Sequence, residues 1–253
     1  MTSLSVNLNK VALIRNSRDT TIPSVIEAAR TSIAAGADGI TVHPRPDMRH
    51  IRPTDVTDLA TLLAQPEFAT IEFNIEGNPF EGPQDNGFPG FMALVKQTMP
   101  EQCTLVPDNP VQLTSDHGWD LAGDNASLAA IINQLKALNI RVSLFMDPVE
   151  SQIELAANLG ADRIEFYTGP YADAYGDHQA ILSRFKEAAV FARSLGLGIN
   201  AGHDLNLENL GEFCLAVAPV DEVSIGHALI TDALWSGLAP TVRRYKAILE
   251  NPG

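Results

Sequence analysis

Short apolar runs rich in β-branched residues recur along the whole chain, each followed by a polar turn and then a stretch with helical spacing. There are eight: LSVNLNK near residue 5, GITVHP near 41, TIEFNIE near 73, CTLVPD near 105, RVSLFMD near 144, RIEFYTG near 166, LGINAGH near 200 and DEVSIGH near 224. Apolar residues then return at three- and four-residue intervals over 22–35, 54–65, 88–98, 125–138, 149–159, 177–195 and 207–216, and the same spacing predicts one last helix over 230–249. Eight strands alternating with eight helices predict a closed parallel α/β barrel, the (β/α)8 TIM barrel, as a single domain over 1–253.

The turns agree with that reading. AAGADGITVH and NLGADRIEFY both end a helix with Gly and pass through Ala-Asp into a strand, and SLGLGINAGH varies the theme. The strands read as apolar along most of their length, which predicts burial on both faces. An open doubly wound sheet is the weaker alternative, because no GxGxxG follows the first strand. EGNPFEGPQDNGFPG, residues 76–90, is too long for a simple connection and predicts a functional or mobile loop after the third strand.

Composition narrows the function. With 45% hydrophobic residues the 253-residue chain has ample core material, yet no apolar run approaches the roughly 20 residues that span a bilayer. The N-terminus MTSLSVNLNK lacks a basic segment followed by a sustained apolar one, so a cytoplasmic location is expected. A formal charge of −14 argues against a nucleic-acid surface. The cluster Arg45, Arg49, His50 and Arg52 therefore stands out, since an acidic protein that binds an anion must gather its positive charge in one place. Cys103 and Cys214 sit in apolar contexts without CxxC spacing and read as buried free thiols.

Active sites of parallel barrels lie at the C-terminal ends of the strands. Those ends offer Asn7 and Asn9, His43, Glu76, Asp108, Asp147, Glu165 with Thr168, His203 and His227. Three of the six histidines fall there and His50 lies just beyond, a convergence that favours a site over isolated structural histidines. Asp108 and Asp147 also suit helix capping, the commoner task of Asp in such turns. Glu72 and Glu76 share a face, with Glu76 nearer the functional end. Neither HxH on the first strand nor HExxH occurs, so no metal is expected; GxSxG is also missing, and Cys103 starts a strand instead of ending one.

Signals for phosphate are stronger. SIGHALI places Gly226 between the last strand and a helical stretch, and NAGHDL does the same after the seventh strand, where backbone amides face anions in this fold. Arg18 in RNSRDTT is placed to close over that rim, while Arg45 and His50 form a second cationic corner. Two corners imply two phosphorylated small-molecule substrates, or one substrate with two phosphates.

SVNLNKVALIRNSR, GADGITVHPRPDMRHI, EFNIEG, TLVPD, VSLFMD, NAGHDLN and EVSIGHALI together resemble the pyridoxine 5′-phosphate synthase family of vitamin B6 biosynthesis, nearly end to end. The resemblance implies a (β/α)8 barrel with extra helices, assembled as a homo-oligomer, commonly an octamer. It implies condensation of 3-amino-2-oxopropyl phosphate with 1-deoxy-D-xylulose 5-phosphate to pyridoxine 5′-phosphate, inorganic phosphate and water, with no metal or organic cofactor. His43 would be a general base, Glu76 a general acid/base and His203 a proton donor. Asn7, Arg18, Gly226 and His227, with Asp204, would hold the aminoketone phosphate; Arg45, His50 and Thr114 would meet the deoxyxylulose phosphate. Arg49 and Arg52 would face solvent or a subunit contact.

Those residue types suit the chemistry. Imine formation, loss of water and phosphate, and ring closure all need proton transfers near neutral pH, and a departing dianion needs an arginine–histidine pair. Two departures from the family pattern stand out: Asn9-Lys10 where Asp-His is common, leaving Lys10 to supply a positive charge, and Asp204 where Gly is common. The rival readings are another phosphosugar isomerase or aldolase on the same barrel, for which Lys10 is the strand-end lysine, and a non-catalytic phosphate-binding barrel.

Overall fold

In the computed structural model, which describes residues 1–18, 20–109 and 111–252, the eight expected strands form the staves of a closed parallel barrel. They are β1 (Ser3–Asn7), β2 (Gly39–Val42), β3 (Glu72–Gly77), β4 (Gln102–Leu105), β5 (Arg141–Met146), β6 (Arg163–Phe166), β7 (Gly198–Gly202) and β8 (Glu222–Ile225). Each pairs with its neighbours in sequence, and β8 returns to β1 in the register Leu4↔Val223 and Val6↔Ile225.

The surrounding helices are α1 (Asn9–Asn16), α2 (Val25–Ala34), α3 (Pro53–Leu63), α4 (Phe91–Thr98), α5 (Ala126–Ala137), α6 (Glu150–Asn158), α7 (Gly169–Asp173), α8 (Gln179–Ser194), α9 (Leu210–Val217), α10 (His227–Ser236) and α11 (Leu238–Glu250). Three departures from the sequence expectation concern helices, the first being the short α7, which was not expected. The stretch expected as one helix over 230–249 is two, because Gly237 takes φ 80°, a left-handed conformation that ends α10 and starts α11 at a new angle. Asn9 and Lys10, read as the end of the first strand, instead open α1, whose polar first turn hid its helical period. Among the described residues no helix is long and apolar enough to cross a membrane.

The strands also correct the expectation of apolar faces on both sides. They alternate strictly. Leu4, Val6, Ile40, Val42, Ile75, Leu105, Leu144, Ile164, Ile199 and Val223 are all fully buried in a core shared with helix residues such as Val56, Ile132, Ile153, Phe185, Phe213 and Val242. Each such side chain contributes about 1.5–3 kcal/mol of burial. The intervening positions point inward and are mostly polar, with the cavity-lining Phe145 an apolar exception. Toward the N-terminal end of the strands, Arg163 donates to Gln102, Asn200 and Glu222, while Arg141 donates to Glu72 at 2.7 Å and to Gln102. One layer higher, Ser5 and Thr41 bond at 2.6 Å, and Asn74 reaches both Thr41 and Thr104. The apolar look of the runs arises because their polar inward residues are mostly small Ser, Thr and Asn, which break hydrophobicity less than a charged pair does. This layering settles Glu72, whose partner Arg141 lies in the lowest layer, and leaves Glu76 at the functional end.

Candidate active site

At the C-terminal ends of the strands the inward positions line a cavity of about 410 Å³. Asn7, Asn9, Lys10, His43, Arg45 and His50 line it from the first two strands and the segments that follow them; Glu76, Thr114, His203, Asp204, Gly226 and His227 complete the sequence-predicted set. Arg18 is exposed and stands outside the lining. Among the described residues, no group of three or more His, Cys, Asp or Glu side chains is arranged to hold a metal ion.

The end of β1 acts as a brace. Asn7 donates from Nδ2 to Glu76 Oε2 at 3.2 Å and accepts the Asn9 amide at 3.0 Å, and Asn9 in turn accepts the His43 amide at 2.9 Å. These bonds fix β1, β2 and β3 relative to one another at the cavity floor. Lys10 donates no hydrogen bond among the described residues, and its charge acts on both His50 and His227.

His43 is buried between two carboxyls, with Nδ1 4.0 Å from Glu76 Oε2 and Nε2 3.9 Å from Asp108 Oδ2. Burial, reinforced by Arg45, lowers its pKa to about 3, so the imidazole is neutral at pH 7. Burial also pushes His50 down to about 3, with His43 and Arg45 adding to it. His50 Nδ1 accepts the Ile51 amide at 2.9 Å, so the proton of its neutral ring sits on Nε2. Glu76 moves the other way: burial, followed by the charges of Glu165 and Glu222, raises it well above the usual carboxylate range. Glu165 lies beside it, raised by burial to about 7 and held by Thr104 Oγ1 at 3.3 Å. A neutral base and acids of raised pKa thus share one floor.

Arg45, only 4% exposed, fixes the long connection after β4. It donates to Asp108 Oδ2 at 2.8 Å and to the carbonyls of Asn109 and Gln112 at 3.1 Å each, and Ser115 closes on the same Asp108 oxygen at 2.8 Å. Asp108 therefore does not cap a helix; it anchors an arginine. Asp147 likewise accepts the Gly118 amide at 3.1 Å, further along the same connection, instead of capping α6. Arg49, expected to face solvent, lines the cavity: it pairs with Asp47 at 2.6 Å and donates to the Gln112 and Leu113 carbonyls at 3.1 and 3.2 Å. The loop then reaches the opposite wall, where Thr114 Oγ1 meets His203 Nε2 at 2.8 Å.

On that wall the chain turns sharply. His203 has φ 45°, a left-handed conformation that costs a non-glycine residue roughly 1–3 kcal/mol, and its Nδ1 lies 2.6 Å from Asp204 Oδ2. NAGHDL thus forms a turn, and α9 begins only at Leu210. Gly202 just before is required, because a Cβ there would overlap the Ser224 carbonyl. Gly226 is the N-cap of α10, where a side chain would press on Asn7 at 3.1 Å, so the amides of the first turn of α10 remain open to the cavity. His227 opens that helix, and partial burial together with Lys10 lowers its pKa.

The sequence placed Glu165 and Asp108 at strand ends without assigning either a part in the chemistry, offered capping for Asp108, and put Arg49 at solvent or a subunit contact, yet all three shape the cavity or its loop. Glu165 carried the clearest signal, a lone acid inside the apolar run RIEFY. The ensemble can hold anions, through Arg45, Arg49, Lys10 and a helix N-terminus, and can exchange protons between neutral imidazoles and buried acids.

Comparison with known proteins gives the family. Residues 4–251 match the model of the pyridoxal phosphate biosynthesis protein PdxJ. The pyridoxine 5′-phosphate synthase of Xanthomonas campestris pv. campestris (strain B100) is 57% identical, covering 98% of this chain and 96% of the relative. That of Xylella fastidiosa (strain M12) is 53% identical over 99% of this chain and 95% of its own length. Among solved structures, phosphoribosyl anthranilate isomerase from Thermococcus kodakaraensis superposes with a TM-score of 0.62 at 15% identity, covering 99% of this chain and all of that one, a likeness of fold.

Proposed function

The chain belongs to the family of the pyridoxal phosphate biosynthesis protein PdxJ and is a pyridoxine 5′-phosphate synthase, and from that premise we propose that it condenses 3-amino-2-oxopropyl phosphate with 1-deoxy-D-xylulose 5-phosphate by general acid/base catalysis. The observation that carries the proposal is the presence in one cavity of the neutral His43, the buried Glu76 with its carboxyl raised well above the usual range, and two groups of anion-binding side chains and amides.

In this reading His43 takes protons from the substrate amine and carbon centres, and Glu76 supplies protons for the loss of water. His203, facing them across the cavity with Thr114, returns a proton to the departing oxygen. Arg45 and His50 hold the phosphate that leaves. Lys10, His227 and the open amides of α10 hold the phosphate that stays, with Asn7, Asn9 and Asp204 lining its approach. The loop after β4 excludes water from the imine and enol intermediates. Arg18, exposed and outside the cavity lining, has a part in phosphate binding only by family resemblance. The same family relationship supports a homo-oligomer.

Growth tests the reading. Expressed in a bacterium deleted for its own pyridoxine 5′-phosphate synthase, the chain restores growth without added pyridoxine, and the His43→Ala chain at equal abundance does not. Failure of the unaltered, abundant chain to restore growth would overturn the assignment.

A further inference from the structure

His203 and Asp204 are adjacent in sequence, and the left-handed backbone at His203 folds the Asp204 side chain back onto its neighbour's ring. Nδ1 meets Asp204 Oδ2 at 2.6 Å, and Nε2, on the far side of the ring, meets Thr114 Oγ1 at 2.8 Å. A carboxylate only accepts hydrogen bonds, so the short contact requires the proton on Nδ1; Nε2 is then the atom that exchanges a proton with Thr114 or with a substrate in its place. We propose that Asp204 is a positioning residue that fixes the Nδ1–H tautomer of His203 and thereby dedicates Nε2 to proton exchange in the cavity. This deepens the synthase reading, on which the kinetic half of its test rests.

The surroundings favour this role over direct anion binding. Arg45, Arg49 and Lys10 bring positive charge to the cavity, and a carboxylate at 37% side-chain exposure on its wall opposes an incoming phosphate unless a cation or a donated proton offsets it. Among the described residues the His203 imidazole is the side chain that bonds to this carboxylate. The other groups facing His203 are Phe145 and Tyr167, with ring centroids at 6.3 and 5.8 Å, and the charges of His43, Glu165 and His227. Among the described residues none of these bonds to Nδ1, so the choice of tautomer falls to Asp204. The backbone amide of Asp204 is engaged separately, by Thr168 Oγ1 at 3.4 Å, so the side chain can be changed without removing that contact.

The test reads the tautomer directly. Long-range proton–nitrogen NMR of histidine-labelled protein without substrate, at pH 8, with the His203 signals assigned by their loss in His203→Gln, is expected to show the proton on Nδ1. In Asp204→Asn and Asp204→Gly the signal is expected to move toward the Nε2–H form, and Asp204→Glu to restore part of the original. With both phosphorylated substrates, kcat is expected to fall about 10–100-fold in the Asn and Gly variants while KM changes less than about threefold, as for other groups that act through a neighbour. An Nε2–H tautomer in the unaltered protein, or a tautomer indifferent to Asp204, would overturn the proposal. The NMR result stands even if the unaltered protein makes no pyridoxine phosphate, which would instead overturn the synthase chemistry.

Discussion

His43 Nδ1 faces Glu76 Oε2 at 4.0 Å, and the two are not an ion pair. Burial lowers the imidazole to about 3, so the base is vacant at neutral pH, and raises the carboxyl well above its usual range, which favours the acid's protonated form. Burial thus shifts each group toward the protonation state that a proton transfer needs at its start. His43→Ala is therefore expected to fold with little change in Tm and to lose about 10²–10⁴-fold in kcat. Glu76→Gln is expected to fold as well and to lose a similar factor, because the amide keeps the shape but cannot release a proton. Circular dichroism beside steady-state rates checks both; a Gln variant at full rate would remove Glu76 from the chemistry.

Binding of a dianion beside Arg45 should draw protons onto the neighbouring imidazoles. His43 and His50 are held near 3 by burial and, in part, by Arg45, and a dianion seated on Arg45 offsets that repulsion. Calorimetry of sulfate binding at pH 5, where this dianion has no proton of its own to release, in buffers of different ionisation enthalpy, is expected to show net proton uptake that shrinks in His50→Gln. Buffer-independent heats would mean that neither imidazole senses the anion.

Arg45 and Arg49 together hold the connection after β4 through the carbonyls of Asn109, Gln112 and Leu113. A lysine at position 45 keeps the charge but not the fork that spans Asp108 and two carbonyls. Arg45→Lys is expected to raise KM about tenfold or more, and Arg49→Ala to raise it less with kcat nearly kept. Proteolysis within residues 109–117 should quicken in both variants. Protection equal to the unaltered protein would show that the arginines do not tether this loop.

Glu165 makes a prediction about stability. Its pKa, raised from 4.5 to about 7, means that the folded chain holds a proton that the unfolded chain releases between those values. Stability from this group is therefore greatest below pH 4.5, falls as pH rises to about 7, and is level above, a change of roughly 3 kcal/mol. His43 and His50 act oppositely, since their lowered values cost stability as pH falls from 6.5 toward about 3. Subtracting the unaltered protein from Glu165→Gln isolates the first effect: the Tm advantage of the variant is expected to grow by about 5–10 °C from pH 5 to pH 7.5. A difference independent of pH would contradict the raised value.

The eight strands were legible because β-branched runs between Gly turns at regular intervals encode a barrel locally. The functional end followed from the fold rule, and it brought His43, Glu76, His203 and His227 to one cavity. What escaped depends on partners distant in sequence. Asp108 read as a cap because nothing in TLVPDNP reveals an arginine 63 residues earlier, and Arg49 read as exposed because its acceptors are backbone carbonyls, which every residue has. The polar barrel interior was masked by small hydroxyl and amide side chains in otherwise apolar runs, and α1 by its start at Asn9-Lys10.

The most direct measurement mixes the purified protein with 3-amino-2-oxopropyl phosphate and 1-deoxy-D-xylulose 5-phosphate and follows pyridoxine 5′-phosphate by absorbance alongside released inorganic phosphate. Equal amounts of both, formed only when both substrates are present, are the expected result. Phosphate released without the ring product, or neither product while each substrate still binds, would contradict the condensation.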